Sequence, residues 1–161
     1  MNFNYSEEQT LLQDSVTKFI ANDYDYETRQ RHSAMEQGFD PATWQTFAEL
    51  GWLCVPFSEE DGGIGGGAVE IMIMMEAFGK GLVVEPFVPT VLMAGQLIAR
   101  LGSAEQKAEW LGAIIEGSRK LSVAAIEPQS RFDWFDVGTS ATPEGDNVIL
   151  SGNKAMVLHG G

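Results

Sequence analysis

The sequence predicts an α+β fold, mostly α, in which an N-terminal helical bundle over residues 1–117 is followed by an incomplete antiparallel β-domain over residues 118–161. Three observations carry this prediction. Apolar residues recur at helical spacing through the first stretch, in segments opened by capping residues and closed by glycine. After Gly117 the period shortens to alternation, in Leu121-Ser122-Val123 and again in Val148-Ile149-Leu150, as half-buried strands require. Before the second of these runs, Pro143-Glu144-Gly145-Asp146-Asn147 has the composition of a turn.

The first helix starts at Ser6, because Ser6 and Gln9 have the spacing of a capping box and satisfy exposed amides at a helix start. Leu12, Val16, Phe19 and Ile20 then give it one buried face. A shorter, less periodic helix runs from about Glu27 to Met35 and ends before Gly38. Asp40-Pro41 opens the third, with Asp40 as cap and Pro41 at the first helical position. Its inner face is Trp44, Phe47 and Leu50, and Gly51 stops it.

Gly63-x-Gly65-x-x-Ala68 matches the loose fingerprint of a dinucleotide-binding turn. Such a turn needs a clean strand before it and a βαβ unit around it. Here Pro56 interrupts the strand and Glu59-Glu60-Asp61 would repel phosphate, so the segment reads as a glycine-rich connection. From Val69 to about Lys80 the chain is apolar on nearly every side, with Ile71, Met72, Ile73, Met74, Met75 and Phe78, which predicts a central, surrounded helix. Glu85-Pro86-Phe87-Val88-Pro89 starts a further helix ending at Gly102. Ser103 and Gln106 cap the last, with Trp110, Leu111, Ile114 and Ile115 facing inward and Gly117 at its end. Three or four strands are then expected, near Val123, Thr139, Val148 and Met156. So few strands would leave open edges and an apolar face. With the terminal Gly160-Gly161, this points to a β-domain that continues further and to self-association of the isolated chain through its β segment.

A chain of 161 residues has room for one domain, or for one domain and part of another. Its 44% hydrophobic content is that of a soluble globular protein. The net charge of −13, from 23 acidic and 10 basic residues, argues against nucleic acid or an anionic membrane as partner, since both need basic surface. A phosphate-bearing cofactor needs only local donors and is compatible with that charge. The single cysteine, Cys54, sits in the apolar run Trp52-Leu53-Cys54-Val55, where it reads as a small buried hydrophobe and fits a reducing cytoplasm. Met1-Asn2-Phe3-Asn4-Tyr5 has no basic start or apolar stretch of a leader, and the longest candidate span, Val88 to Leu101, is broken by Pro89, Gly95, Gln96 and Arg100. With only His32 and His159, neither a zinc site nor a Ser-His-Asp triad has enough parts, and Glu59 and Glu60 read as solvated loop charges.

The segment Val123-Ala124-Ala125-Ile126-Glu127-Pro128 is followed by Gly138-Thr139-Ser140-Ala141-Thr142 and then by Asn153-Lys154-Ala155-Met156-Val157-Leu158-His159. In order and spacing this resembles the start of the middle β-domain of acyl-CoA dehydrogenases. Members usually read there as a Thr-Glu-Pro strand followed by a Gly-x-Lys-x-Trp-Ile-Thr-Asn strand. The helical stretch resembles the preceding domain of that family, including its Glu-x-x-Gly-Gly connection at Glu59 to Gly63. Ser6-Glu7-Glu8-Gln9, Phe57-Ser58-Glu59-Glu60-Asp61-Gly62-Gly63 and Gln129-x-Arg131-Phe132-Asp133 further resemble the small subunit of two-subunit pimeloyl-CoA dehydrogenases.

The resemblance implies FAD as cofactor, an acyl-CoA thioester as substrate and a place in fatty acid metabolism. In the family a carboxylate removes the α-proton while a hydride leaves the β-carbon for flavin N5. That base belongs to a later helical domain, so no residue of this chain is expected to be catalytic. Val123, Ala125, Ile126, Met156 and Leu158 fall at flavin positions. Glu85, Pro86, Pro89 and Met93 fall along the acyl cavity, and Phe132 falls where a serine contacts CoA. Ile126 and Leu158 replace hydroxyl-bearing threonines and Met156 replaces a ring-packing tryptophan, so backbone donors remain where side-chain donors do not. Glu85 beside an acyl tail would favour a polar terminus, as in a dicarboxylyl-CoA.

Three readings stay open at this point. One is a chain of a heteromeric acyl-CoA dehydrogenase, with a second subunit of the family as partner and an electron-transfer flavoprotein as acceptor. Another is a flavin-less structural or regulatory subunit of that family. The last is a stand-alone helical interaction module.

Overall fold

The structure, a computed structural model, describes residues 4–160. The expectations about Met1, Asn2 and Phe3 as a start and Gly161 as an ending lie outside the described residues. The chain divides into two compact units, Met1–Leu121 and Ser122–Gly161. Among the described residues, no helix is long and apolar enough to cross a membrane.

The first unit contains α1 (Glu7–Asp23), α2 (Tyr26–Ser33), α3 (Pro41–Glu49), α4 (Ala68–Gly81), α5 (Gln96–Leu101) and α6 (Ala104–Ile115). A π-helical segment, Val88–Gly95, runs directly into α5. The helices start where local chemistry requires. Ser6 and Gln9 exchange side-chain and backbone bonds at 3.1 and 2.9 Å, and Ser103 and Gln106 do the same at 3.2 and 2.9 Å. Asp40 accepts the amides of Ala42 and Thr43 at 3.1 and 3.2 Å. Gly51 and Gly117, at φ +74° and +76°, take the left-handed turn that ends α3 and α6.

The core forms around aromatic rings contributed by different elements. Phe47 of α3 stacks on Phe78 of α4 with centroids 5.2 Å apart and rings 8° from parallel. Trp52 lies 5.0 Å from Phe47, Phe19 of α1 meets Phe47 edge-on at 5.7 Å, and Phe87 meets Phe78 edge-on at 5.3 Å. Each fully buried ring of this kind contributes roughly 1.5–3 kcal/mol. Composition predicts a central, surrounded helix here, but α4 is buried on one side only. Ile73, Met74, Ala77 and Phe78 point into the core, while Val69 and Met72 are exposed. One apolar side of α4 is thus in solvent, and Gln9 of α1 bonds Glu70 at 2.7 Å along another.

The glycine-rich connection is explained by close backbone packing. The amides of Gly65 and Gly66 reach the carbonyls of Phe57 and Val55 at 2.7 and 2.8 Å, and a Cβ at Gly63 would collide with the Phe57 carbonyl. A short 3₁₀ turn, Glu59–Asp61, precedes these glycines in place of the strand that a dinucleotide fold requires.

The second unit contains β1 (Ser140–Glu144) and β2 (Asn147–Ser151), an antiparallel pair with Ser140 opposite Ser151 and Glu144 opposite Asn147. Gly145 at φ +60° makes the turn. Two strands form among the described residues, not three or four. The segments near Val123 and Met156 come together through one ladder-like bond, Ala155 N to Ile126 O at 2.8 Å. Met156 then turns into the left-handed region at φ +53°, which ends the extension that the family resemblance implies there.

Candidate functional site

In the second unit, polar bonds converge on Glu127, which is 3% exposed. Its carboxylate accepts from Lys154 Nζ at 2.7 Å, Gln129 Nε2 at 2.7 Å, Gly138 N at 2.7 Å and Thr139 N at 3.1 Å. Ser130 closes the adjoining turn, its hydroxyl donating to the Glu127 carbonyl at 2.9 Å while accepting the Glu127 amide at 3.2 Å. Lys154 above all, then Thr139 and Gln129, hold the Glu127 carboxyl far below its ordinary range.

The residues that the family resemblance assigns to flavin lie beside this cluster. Val123, Ala125 and Ile126 are half-buried, whereas Met156 and Leu158 are exposed. Among the described residues, the backbone N–H groups of Val123, Ala125, Ile126, Met156 and Leu158 carry no hydrogen bond within the chain. A flavin ring edge presents oxygen and nitrogen acceptors, which such amides can serve. Ile126 and Leu158 offer no hydroxyl, so these residues fit the ring through backbone donors only. Phe132 is 96% exposed in the turn that follows Ser130.

Glu85, Pro86, Pro89 and Met93 lie in the first unit, the first three buried and Met93 lining a groove. Glu85 is buried, with Tyr24 Oη donating to its Oε2 at 2.5 Å and His32 Nδ1 at 2.8 Å from its Oε1. Tyr24 Oη also accepts the Val84 amide at 3.1 Å, and His32 Nε2 lies 3.6 Å from Asp40 Oδ2. Burial, then the bond to Glu85, pushes the Tyr24 phenol above its ordinary value. Pro86 and Pro89 are buried. Met93 lines an open groove of about 790 Å³ with Pro56, Ile71, Leu92, Gln96 and Arg100.

Sequence reasoning did not find Tyr24 and His32 as the partners of Glu85, because 61 and 53 positions separate them from it. A histidine within a charged helix and an isolated tyrosine carry no local signal of that pairing. Among the described residues, no group of three or more His, Cys, Asp or Glu side chains is arranged to hold a metal ion.

Residues 6–118 match the family described as acyl-CoA dehydrogenase, N-terminal domain. Acyl-CoA dehydrogenase FadE12 of Mycobacterium tuberculosis is 30% identical over 162 aligned positions, covering 97% of this chain and 40% of the relative. The ChsE4-ChsE5 complex from Mycobacterium tuberculosis matches with a TM-score of 0.83 at 25% identity, over 96% of this chain and 39% of that one. The FAD complex of PigA matches with a TM-score of 0.84 at 27% identity, over 98% and 42%. The chain therefore spans about two fifths of the length of the curated relatives it matches.

Two outcomes are expected from this geometry. Tyr24→Phe leaves the buried Glu85 short of a donor and the Val84 amide short of an acceptor. It should lower unfolding free energy by about 1–3 kcal/mol in urea titration. Because the folded-state pKa of Glu127 is depressed, its contribution to stability is fully present above its unfolded value near 4.5 and is lost as pH falls below that value. Acid titration of the second unit's amide signals should show this loss, and Glu127→Gln should remove that part of the pH dependence.

Proposed function

The chain belongs to the acyl-CoA dehydrogenase family, and from that premise we propose that it is one chain of an FAD-dependent enzyme that introduces an α,β double bond into an acyl-CoA thioester. The observation that supports this most is the pairing of the 123–127 and 154–158 segments, joined at Ile126 and Ala155 with amides left to donate. Bound FAD would supply the hydride acceptor. Val123, Ala125 and Ile126 on one segment, with Met156 and Leu158 on the other, would hold the ring by backbone N–H groups and apolar side chains. Phe132 would lie toward CoA. Met93 would reach the acyl tail, with Pro86 and Pro89 shaping the wall behind it.

The finer reading is a small subunit that works beside a second acyl-CoA dehydrogenase subunit on a dicarboxylyl-CoA and passes electrons to an electron-transfer flavoprotein. It is supported by the resemblance at Ser6 to Gln9, Phe57 to Gly63 and Gln129 to Asp133, and by a matching structure that is itself a complex of two named proteins. Glu85 would act on the acyl terminus only by leaving Tyr24 and His32, so its present bonds favour a role in shaping the helical wall.

A flavin-less structural or regulatory subunit is the second reading. It is favoured by Ile126, Met156 and Leu158 standing where side-chain contacts to the ring are usual.

Expressing the complete gene product with and without a family partner separates the two, with flavin absorbance per chain and acyl-CoA oxidation as readouts. Flavin retained through purification, together with activity, is expected only in the assembled enzyme. The 161-residue chain by itself should retain no stoichiometric FAD through gel filtration and should oxidise no acyl-CoA. One FAD per chain retained by it would contradict a site made of backbone donors alone.

A further inference from the structure

Lys154 and Arg131 are the cationic residues of the second unit, which also holds Glu127, Asp133, Asp136, Glu144 and Asp146. Four of those carboxylates are exposed. Lys154 instead meets the buried one, at 2.7 Å, and places the same ammonium 3.4 Å from the Ala125 carbonyl. A buried carboxylate without donors is costly. Glu127 is supplied by the Gln129 side chain of its own turn and by two more distant stretches of chain, the Gly138 and Thr139 amides and Lys154. Gly138 is fitted to this role, since a Cβ there would stand 3.3 Å from Glu127 Oε2.

The cluster adjoins the flavin positions along the chain. Glu127 follows Ile126 directly, and Lys154 precedes Ala155 directly. The ion pair therefore sits one residue from the bond that joins the two segments, Ala155 N to Ile126 O. Among the described residues, that bond is the one backbone–backbone link between segments that otherwise lack a β ladder, so their spacing and the direction of their unserved amides depend on the side chains flanking it. Resting on the flavin reading above, we propose that Glu127 is a positioning residue, whose carboxylate, held by Lys154, Gln129, Gly138 and Thr139, sets the spacing of the two flavin-facing segments.

The test uses the ¹⁵N-labelled full chain, with FAD itself as probe at millimolar concentration. In Glu127→Gln, exchange at the amides of Gly138, Thr139 and Ala155 should accelerate by about tenfold or more. The amides of Met74 and Phe78 in the helical core should keep their protection, which shows that the variant remains folded. FAD should shift the amide signals of Ala125 and Ile126 in the unaltered chain and fail to do so in Glu127→Gln. Lys154→Met should behave like Glu127→Gln, and Lys154→Arg should restore both readouts.

Unchanged exchange at Ala155 in Glu127→Gln overturns the proposal. Accelerated exchange with undiminished FAD shifts overturns it as well, because the carboxylate would then be an anchor without effect on the ring site. If the unaltered chain shows no FAD shift while the exchange result holds, the flavin reading fails and the positioning role falls with it. Loss of the exchange effect with FAD shifts intact removes only the role of Glu127.

Discussion

Phe47 lies flat against Phe78, and the helical unit is organised around that contact. The two rings come from α3 and α4, and Phe19, Trp52 and Phe87 close on them from α1, from the turn after α3 and from the approach to the π-helical segment. Interiors of this density transmit displacement, so a shift of any one of these elements is felt by the others. Glycines admit close approach elsewhere in the same core. Gly95 lets the Phe57 ring approach more closely than a Cβ would allow, and Gly63 admits the Phe57 carbonyl. The polar cluster of Tyr24, His32 and Glu85 sits beside this core with its bonds made inside it.

The two units solve the problem of a buried carboxylate in related ways. In the first, Glu85 is met by a phenol and an imidazole from α2 and the residues just before it. In the second, Glu127 is met by an ammonium, an amide side chain and two backbone N–H groups. The second unit has little else to hold it. Every residue of β1 and β2 is exposed, so the hairpin contributes pairing without a packed face. Directional bonds around Glu127 take the place that apolar burial occupies in the helical unit.

What was legible in the sequence was what is local. Ser6, Asp40 and Ser103 announce helix starts because a cap and its amide lie within three residues of each other. Gly51 and Gly117 announce stops because the left-handed turn they make is local too. The family and its helical-then-β order were likewise legible, through motifs spread from Ser6 to His159. Pairings between distant residues were not. The bonding of Glu85 to Tyr24 and His32 has no local signature, and the place of its carboxylate along an acyl cavity is implied by the family resemblance alone. Alternation near Val123 and the family resemblance near Met156 suggested strands, but neither specifies partners, and the left-handed Met156 interrupts its segment. The exposed side of α4 was missed for a related reason: composition shows that a helix can be buried, not that a neighbour is present.

Under the proposed function, Ile126 and Leu158 would meet the flavin ring with backbone amides, because neither side chain carries a hydroxyl. The most direct measurement is the FAD dissociation constant of Ile126→Thr beside that of the unaltered chain, read by flavin fluorescence. A threonine there regains one hydrogen bond, and tightening by roughly fivefold is expected. Unchanged or weaker FAD binding in Ile126→Thr would contradict the assignment of this segment to the flavin ring.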